Sequence, residues 1–206
     1  GHFLSLAIRG AKGGTAAGRA QGGLDKHGGR PYAAARSNRK DWTMSLRIND
    51  IAPDFTAEST EGPIHFHDWI GDSYAILFSH PRDFTPVCTT EFGAVAQLVP
   101  EFEKRNTKVL GVSVDSVEDH RKWKADIAKI AGVPANFAII DDTSLTVSKA
   151  YDMLPADYYL PGEGRTPADS ATVRTVFIIG PDKKIRLTMS YPMSVGRNFA
   201  EILRAL

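Results

Sequence analysis

Ser79-His80-Pro81-Arg82-Asp83-Phe84-Thr85-Pro86-Val87-Cys88-Thr89-Thr90-Glu91 joins two different periodicities in this 206-residue chain. The apolar run Tyr74 to Phe78 leads in and reads as a buried strand. Phe92, Val95, Ala96, Val99 and Phe102 follow at helical spacing and mark one face of a helix. Thr85 and Pro86 look like the N-cap and first residue of that helix, which puts Cys88 in its first turn. Cys88 is the only cysteine of the sequence. A helix N-terminus offers unpaired N–H groups and a partial positive charge, and both favour thiolate over thiol. With no second cysteine there is no disulfide within the chain to form, so Cys88 reads as a nucleophile. The plain alternatives are an inert core cysteine and an ordinary helix start.

The helix end alone is too weak to ionise the thiol. A free thiol has a pKa of about 8.5, and a helix end supplies about 0.3–1 kcal/mol, less than one pKa unit. A thiolate majority at neutral pH needs roughly two units, hence a fixed cation nearby. Arginine suits this best, because it keeps its charge and offers several donors. Arg82 lies six residues before Cys88, whereas Arg174 lies far away in the strand-like run Val173 to Ile179. Spacing does not choose between them.

Pro81, Thr85 and Cys88 spell Pro-x-x-x-Thr-x-x-Cys, and the stretch Phe78 to Glu91 resembles the active-site loop of the peroxiredoxins. With His80 before the proline and Thr89-Thr90-Glu91 after the cysteine, it is most similar to the 1-Cys, peroxiredoxin-6-like subfamily. Further similar strings follow in order: Leu46, Ile51-Ala52-Pro53-Asp54-Phe55, Val114 to His120, Gly180 to Lys184, and Gly196-Arg197-Asn198-Phe199. The resemblance covers residues 44–206. It implies a thiol-dependent peroxidase in which Cys88 attacks hydrogen peroxide or an organic hydroperoxide and becomes a sulfenic acid. It also implies that the Thr85 hydroxyl bonds thiolate and peroxide, that Arg174 is the activating cation, and that Pro81 shields the sulfur. His80 and Glu91 match accessory positions, His80 lining the pocket and Glu91 orienting the arginine. An external thiol of the glutathione or thioredoxin type then resolves the sulfenic acid. A homodimer paired edge to edge through the sheet is implied, with no cofactor and no metal.

Strand and helix patterns alternate through the rest of the chain, which implies an α/β sheet covered on both faces. Phe55 to Glu58 and Ile64 to Phe66, about Gly62-Pro63, read as a hairpin. Thr107 to Val114, Phe137 to Ile140, Val173 to Ile179 and Ile185 to Met189 read as strands. Ser116 with Asp119 resembles a capping box opening a helix with His120, Trp123, Ile127 and Ile130 on one face. Leu154 to Thr172 reads as a loop, and Phe199, Ile202 and Leu203 as a last amphipathic helix. The resemblance names the architecture a thioredoxin-like fold with a peroxiredoxin N-terminal hairpin and insertions. The resemblance also implies a small C-terminal subdomain after the last helix, whereas the sequence stops at Leu206, which reads either as a truncation or as a chain without that subdomain.

Residues 1–43 differ in composition. They hold eight Lys/Arg against two Asp, a balance of +6, and nine of the 18 glycines; the remainder balances at −5. This basic, Gly-rich segment reads as disordered. Met44-Ser45 looks like the natural start, with a cleaved tag and leader before it. A transit-type peptide, and with it a mitochondrial rather than cytoplasmic location, is the rival reading of an Arg-rich, acid-poor segment. The mildly acidic remainder argues against nucleic acid as a partner. No apolar run approaches membrane-spanning length.

Two other functions compete. Some members of the subfamily resemble lipases through a Ser/His/Asp set, matched here by Ser73, His67 and Asp182, although Gly71-Asp72-Ser73-Tyr74-Ala75 lacks the closing glycine of a nucleophile elbow. A redox-sensing or chaperone module would use Cys88 to pass oxidation to a partner. His65 and His67, alternating on a strand, would share a face but lack the further ligands a metal needs.

Overall fold

Tyr74–Ser79 forms the central strand, β3, of a five-stranded sheet. In the computed structural model, residues 45–159 and 171–206 are described. The expectations for residues 1–43, and for most of the 154–172 loop, lie outside them. Around β3 stand β4 (Thr107–Ser113), β5 (Ala138–Asp141), β6 (Arg174–Ile179) and β7 (Ile185–Tyr191), in the order β5-β4-β3-β6-β7. β3, β4 and β5 run parallel, while β6 is antiparallel to β3 and β7 to β6.

Period-two alternation divides the core. Ile76, Phe78, Val109, Ile139, Val176 and Ile178 face one layer, in a cluster with side chains of helices α2 (Pro86–Glu103), α3 (Val117–Ala131) and α5 (Phe199–Ala205). Ala75, Leu77, Leu110, Ile140, Phe177 and Ile179 face the other, in a cluster with Phe55, Ile64, Phe66 and Tyr151. Each large apolar side chain buried this way contributes about 1.5–3 kcal/mol. Gly111 lets α2 approach the sheet, because a Cβ there would stand 3.1 Å from the Phe92 ring.

The hairpin is shorter than its sequence pattern: β1 (Thr56–Ala57) pairs with β2 (Ile64–His65) over two residues each. Phe66 then opens a short helix, α1 (Phe66–Ile70), so His67 lies on a helix and the shared strand face expected for His65 and His67 does not form. Another short helix, α4 (Thr146–Ala150), has no counterpart in the sequence reading. In α3, His120, Trp123 and Ile127 are buried as their spacing predicts, but Ile130, in the last turn of the helix, is 59% exposed. The Ser116 Oγ accepts the Asp119 N–H at 3.2 Å, as a cap should. Ser116→Ala is expected to cost about 1 kcal/mol, read as a lower urea midpoint with an unchanged slope.

Candidate active site

Antiparallel register explains how a residue 86 positions after Cys88 reaches it. Phe78 pairs with Val176, so the start of β6 lies at the same sheet edge as the end of β3. Ser79 seals that edge, its Oγ donating to the Val173 carbonyl at 2.6 Å and accepting the Thr175 N–H at 3.0 Å. Arg174 is thereby carried to the N-terminal end of α2, where it is buried. Arg82 is exposed.

Cys88 is wholly buried in the first turn of α2. Three residues on, and so on the same side of the helix, Glu91 sits between two buried arginines. One carboxylate oxygen accepts the backbone N–H and Nε–H of Arg197 at 2.6 and 2.8 Å. The other accepts from Nη1 of Arg174 and from Nη2 of Arg197 at 3.2 Å. Arg174 Nε also donates to the Met193 carbonyl at 2.8 Å, which fixes the plane of its guanidinium. Burial lowers the pKa of Arg197 from its ordinary value; Glu91 and the Cys88 sulfur oppose this and Arg174 adds to it. The cluster of two guanidiniums and one carboxylate carries a charge of +1. An anion at Cys88 would balance it.

Arg197 was not singled out from sequence. It sits one residue before Asn198, whose side chain caps α5 by accepting the Ala200 N–H, and that capping pattern masks the arginine's inward turn. The Thr85 hydroxyl donates to the Arg82 carbonyl at 3.2 Å, and the Thr85 carbonyl accepts from Thr89 Oγ1 at 2.7 Å. Thr85 therefore stands at the N-cap position without a side-chain cap bond. Pro81 is buried beside His80. Phe84 has φ 58°, a strained value for a bulky residue, and is half exposed.

Behind the loop, His80 Nε2 and His120 Nδ1 each lie 2.6 Å from a different oxygen of Asp83, all three residues buried. Among the described residues this trio alone gathers three metal-type ligand atoms, and all three atoms are engaged with one another. Burial raises the pKa of Asp83, but the hydrogen bonds from His120 and His80 outweigh it and hold the carboxyl below its ordinary 3.8. Burial, only partly opposed by Asp83, holds His80 below 6.5. The signs agree. Below pH 6.5 the unfolded chain takes a proton at His80 that the folded chain refuses, and near pH 3.8 and below it takes one at Asp83. Stability is expected to fall in acid through both windows, and urea unfolding as a function of pH, with His80→Gln as reference, checks the first.

Ser73, His67 and Asp182 each contact other groups. Ser73 Oγ donates to Asn106 Oδ1 at 3.0 Å, His67 Nε2 donates to the Ala52 carbonyl at 2.8 Å, and Asp182 pairs with Arg186 at 2.6 Å.

Cys88 thus opens a helix of a thioredoxin-like sheet, and two buried arginines meet on Glu91 three residues further along that helix. The chain belongs to the AhpC/TSA family, whose model matches residues 48–188, and its relatives are peroxiredoxins. It is 52% identical over 162 residues to the mitochondrial peroxiredoxin PRX1 of Saccharomyces cerevisiae, covering 78% of this chain and 61% of that one. It is 50% identical over 165 residues to peroxiredoxin-6 of Sus scrofa, covering 78% and 71%. The solved structure of yeast mitochondrial 1-Cys peroxiredoxin, which describes thiol resolution through the glutathione and thioredoxin systems, superposes with a TM-score of 0.68 at 51% identity, covering 77% and 74%.

Proposed function

We propose that this chain is a 1-Cys thiol peroxidase with Cys88 as its peroxidatic residue. The observation that carries the reading is the buried cluster of charge +1 beside the sulfur. In the reaction the thiolate attacks one peroxide oxygen, an S–O bond forms as the O–O bond breaks, and water or an alcohol leaves after protonation. Arg174, aimed by Glu91, stabilises the thiolate and the charge that grows on the leaving oxygen. Thr85 holds the peroxide, while Pro81 and His80 wall the pocket. With one cysteine in the sequence, an external thiol resolves Cys88-SOH, and the glutathione and thioredoxin systems named for the yeast relative indicate its type. Stopped-flow reaction with hydrogen peroxide tests this. The expected rate constant lies orders of magnitude above that of a free thiol, and a rate equal to a free thiol's would end the reading. Intact mass after one equivalent of peroxide, with and without glutathione, reports the sulfenic acid and its resolution.

β7 is an edge strand of the sheet, and its pairing with a second copy would give the expected homodimer, checked by sedimentation. No helix among the described residues is long and apolar enough to cross a membrane. The basic segment 1–43 is the feature to test for mitochondrial targeting, by fusing it to a reporter and following import. Phospholipid hydrolysis through Ser73 is expected to be absent. Ser73→Ala should leave any measured lipid hydrolysis unchanged, and its loss in that variant would restore the Ser/His/Asp set.

A further inference from the structure

His65 and His67 do not share a strand face, yet the fold gives them a common neighbour that their spacing did not announce. Asp54, from the segment before β1, turns one carboxylate oxygen toward both. Its Oδ2 lies 3.4 Å from His65 Nε2 and 3.8 Å from His67 Nδ1. Both separations exceed the roughly 2.7–2.9 Å of a charge-assisted hydrogen bond.

Each of the three groups is held from behind. Asp54 Oδ1 accepts the backbone N–H of Phe55 at 3.0 Å and that of His67 at 2.9 Å, which leaves Oδ2 to the histidines. His67 Nε2 donates to the Ala52 carbonyl at 2.8 Å, so in the neutral ring Nδ1 carries the bare lone pair. His65 Nδ1 lies 2.7 Å from Asp68 Oδ2; an ionised carboxylate only accepts, so Nδ1 donates and Nε2 is the bare atom of the neutral ring. Three electron pairs therefore border one space. A histidine that gives its other N–H to a carboxylate or a backbone carbonyl is the usual outer shell of a metal site.

We infer that Asp54 Oδ2, His65 Nε2 and His67 Nδ1 form a surface site for one divalent transition-metal ion of the zinc type. Two imidazole nitrogens with one carboxylate suit Zn²⁺ and leave its fourth position to water, whereas Ca²⁺ and Mg²⁺ take oxygen ligands. Asp54 and Asp68 bring two negative charges, which an ion of charge +2 balances. The two ring nitrogens are not within 4.8 Å of each other, as the ligand atoms of His80, Asp83 and His120 are, so the ion has to draw them together. His65 is the side chain that moves, because its ring is half exposed and its partner Asp68 is more exposed still. The buried trio is set closer, but its imidazole–carboxylate hydrogen bonds of 2.6 Å leave no gap for an ion. At Asp54 the ion joins the segment before β1 to β2 and α1, over the rings of Phe55 and Phe66, which stack at 4.5 Å. It clamps that segment and takes no part in the chemistry at Cys88.

Titration of the metal-free full chain with Zn²⁺ against a chromophoric chelator, near neutral pH, tests the site. One equivalent is expected to bind with a Kd of about 1–10 μM. His65→Gln, His67→Gln and Asp54→Asn should each weaken that binding about 100-fold, and Asp68→Asn, which loses only the outer carboxylate, about 10-fold. Cys88→Ser should bind as the wild type does, and the Co²⁺-loaded chain should absorb as a nitrogen–oxygen site without a sulfur charge-transfer band. Zinc should raise the unfolding temperature of the wild type and not that of His65→Gln, whose exposed side chain the fold can spare. Binding through His2 or His27 of the leading segment would survive the loss of His65 and His67, and such survival overturns the inference. So does a wild-type Kd weaker than about 1 mM, or a cobalt spectrum with a sulfur band. Peroxide reactivity of His65→Gln should equal that of the wild type, so the site and the peroxidase reading stand or fall separately.

Discussion

Arg174→Met is expected to slow the reaction of Cys88 with hydrogen peroxide by about 10²- to 10³-fold, the usual cost of losing one preorganised donor at a developing charge. The methionine fills a similar volume, so the loss would come from charge and donors. With Arg174 gone, Glu91 and Arg197 remain as a neutral pair, and a thiolate beside them becomes an uncompensated buried anion. Two quantities should fall together. The thiolate absorbance at neutral pH should drop, and the rate per thiolate should drop as well, because the leaving oxygen has lost a donor. Arg174→Lys should recover part of the first and little of the second, since an ammonium restores charge without the planar fork that Glu91 and the Met193 carbonyl hold in place. Stopped-flow rates measured beside the thiolate absorbance separate the two. An Arg174→Met chain as fast as the wild type would remove the guanidinium from the mechanism.

The sequence carried the loop of this site further than its surroundings. Pro81, Thr85 and Cys88 fall within one stretch of eight residues, and the change from strand to helix periodicity at Ser79–Pro86 places the thiol at the helix start. Arg174 was one of two candidates on spacing alone. What brings Arg174 to Glu91 at the start of α2 is an antiparallel pairing, Phe78 with Val176, and no local pattern encodes which strands will pair. Arg197, Asp83 and His120 were missed for a related reason. His120 occupied a regular position on an amphipathic helix, where a histidine reads as face, and its partner Asp83 lies 37 residues away. The short helices α1 and α4 were illegible because five residues are too few to show a 3.6-residue period. The same limit shortened the hairpin, whose strands keep only two paired positions before Phe66 turns into α1. Long periodic elements such as α2 and β3 stood out, since their burial repeats often enough to leave a pattern.

Glu91→Gln is expected to destabilise the fold by about 3–5 kcal/mol, the range for removing one partner from a buried ion pair. Glu91 accepts four hydrogen bonds, three from Arg197 and one from Arg174, and both arginines are buried. Glutamine keeps the shape, but it removes the only carboxylate in the cluster and turns one acceptor oxygen into an N–H group pointed at an arginine donor. Whichever way the amide faces, one guanidinium or the Arg197 backbone N–H loses its acceptor in a dry site. Two positive charges are then left with only the Cys88 anion between them. This sets two effects in opposition at the sulfur. More uncompensated positive charge should increase the thiolate fraction, yet the peroxide rate should fall because Arg174 is no longer aimed. Adding Arg174→Met to Glu91→Gln should therefore cost much less stability than Arg174→Met alone, since it removes a charge the glutamine had orphaned. Urea unfolding of the four chains measures that coupling. Additive losses would mean that Glu91 and Arg174 do not act as a pair, and the charge balance proposed to ionise Cys88 would have to come from elsewhere.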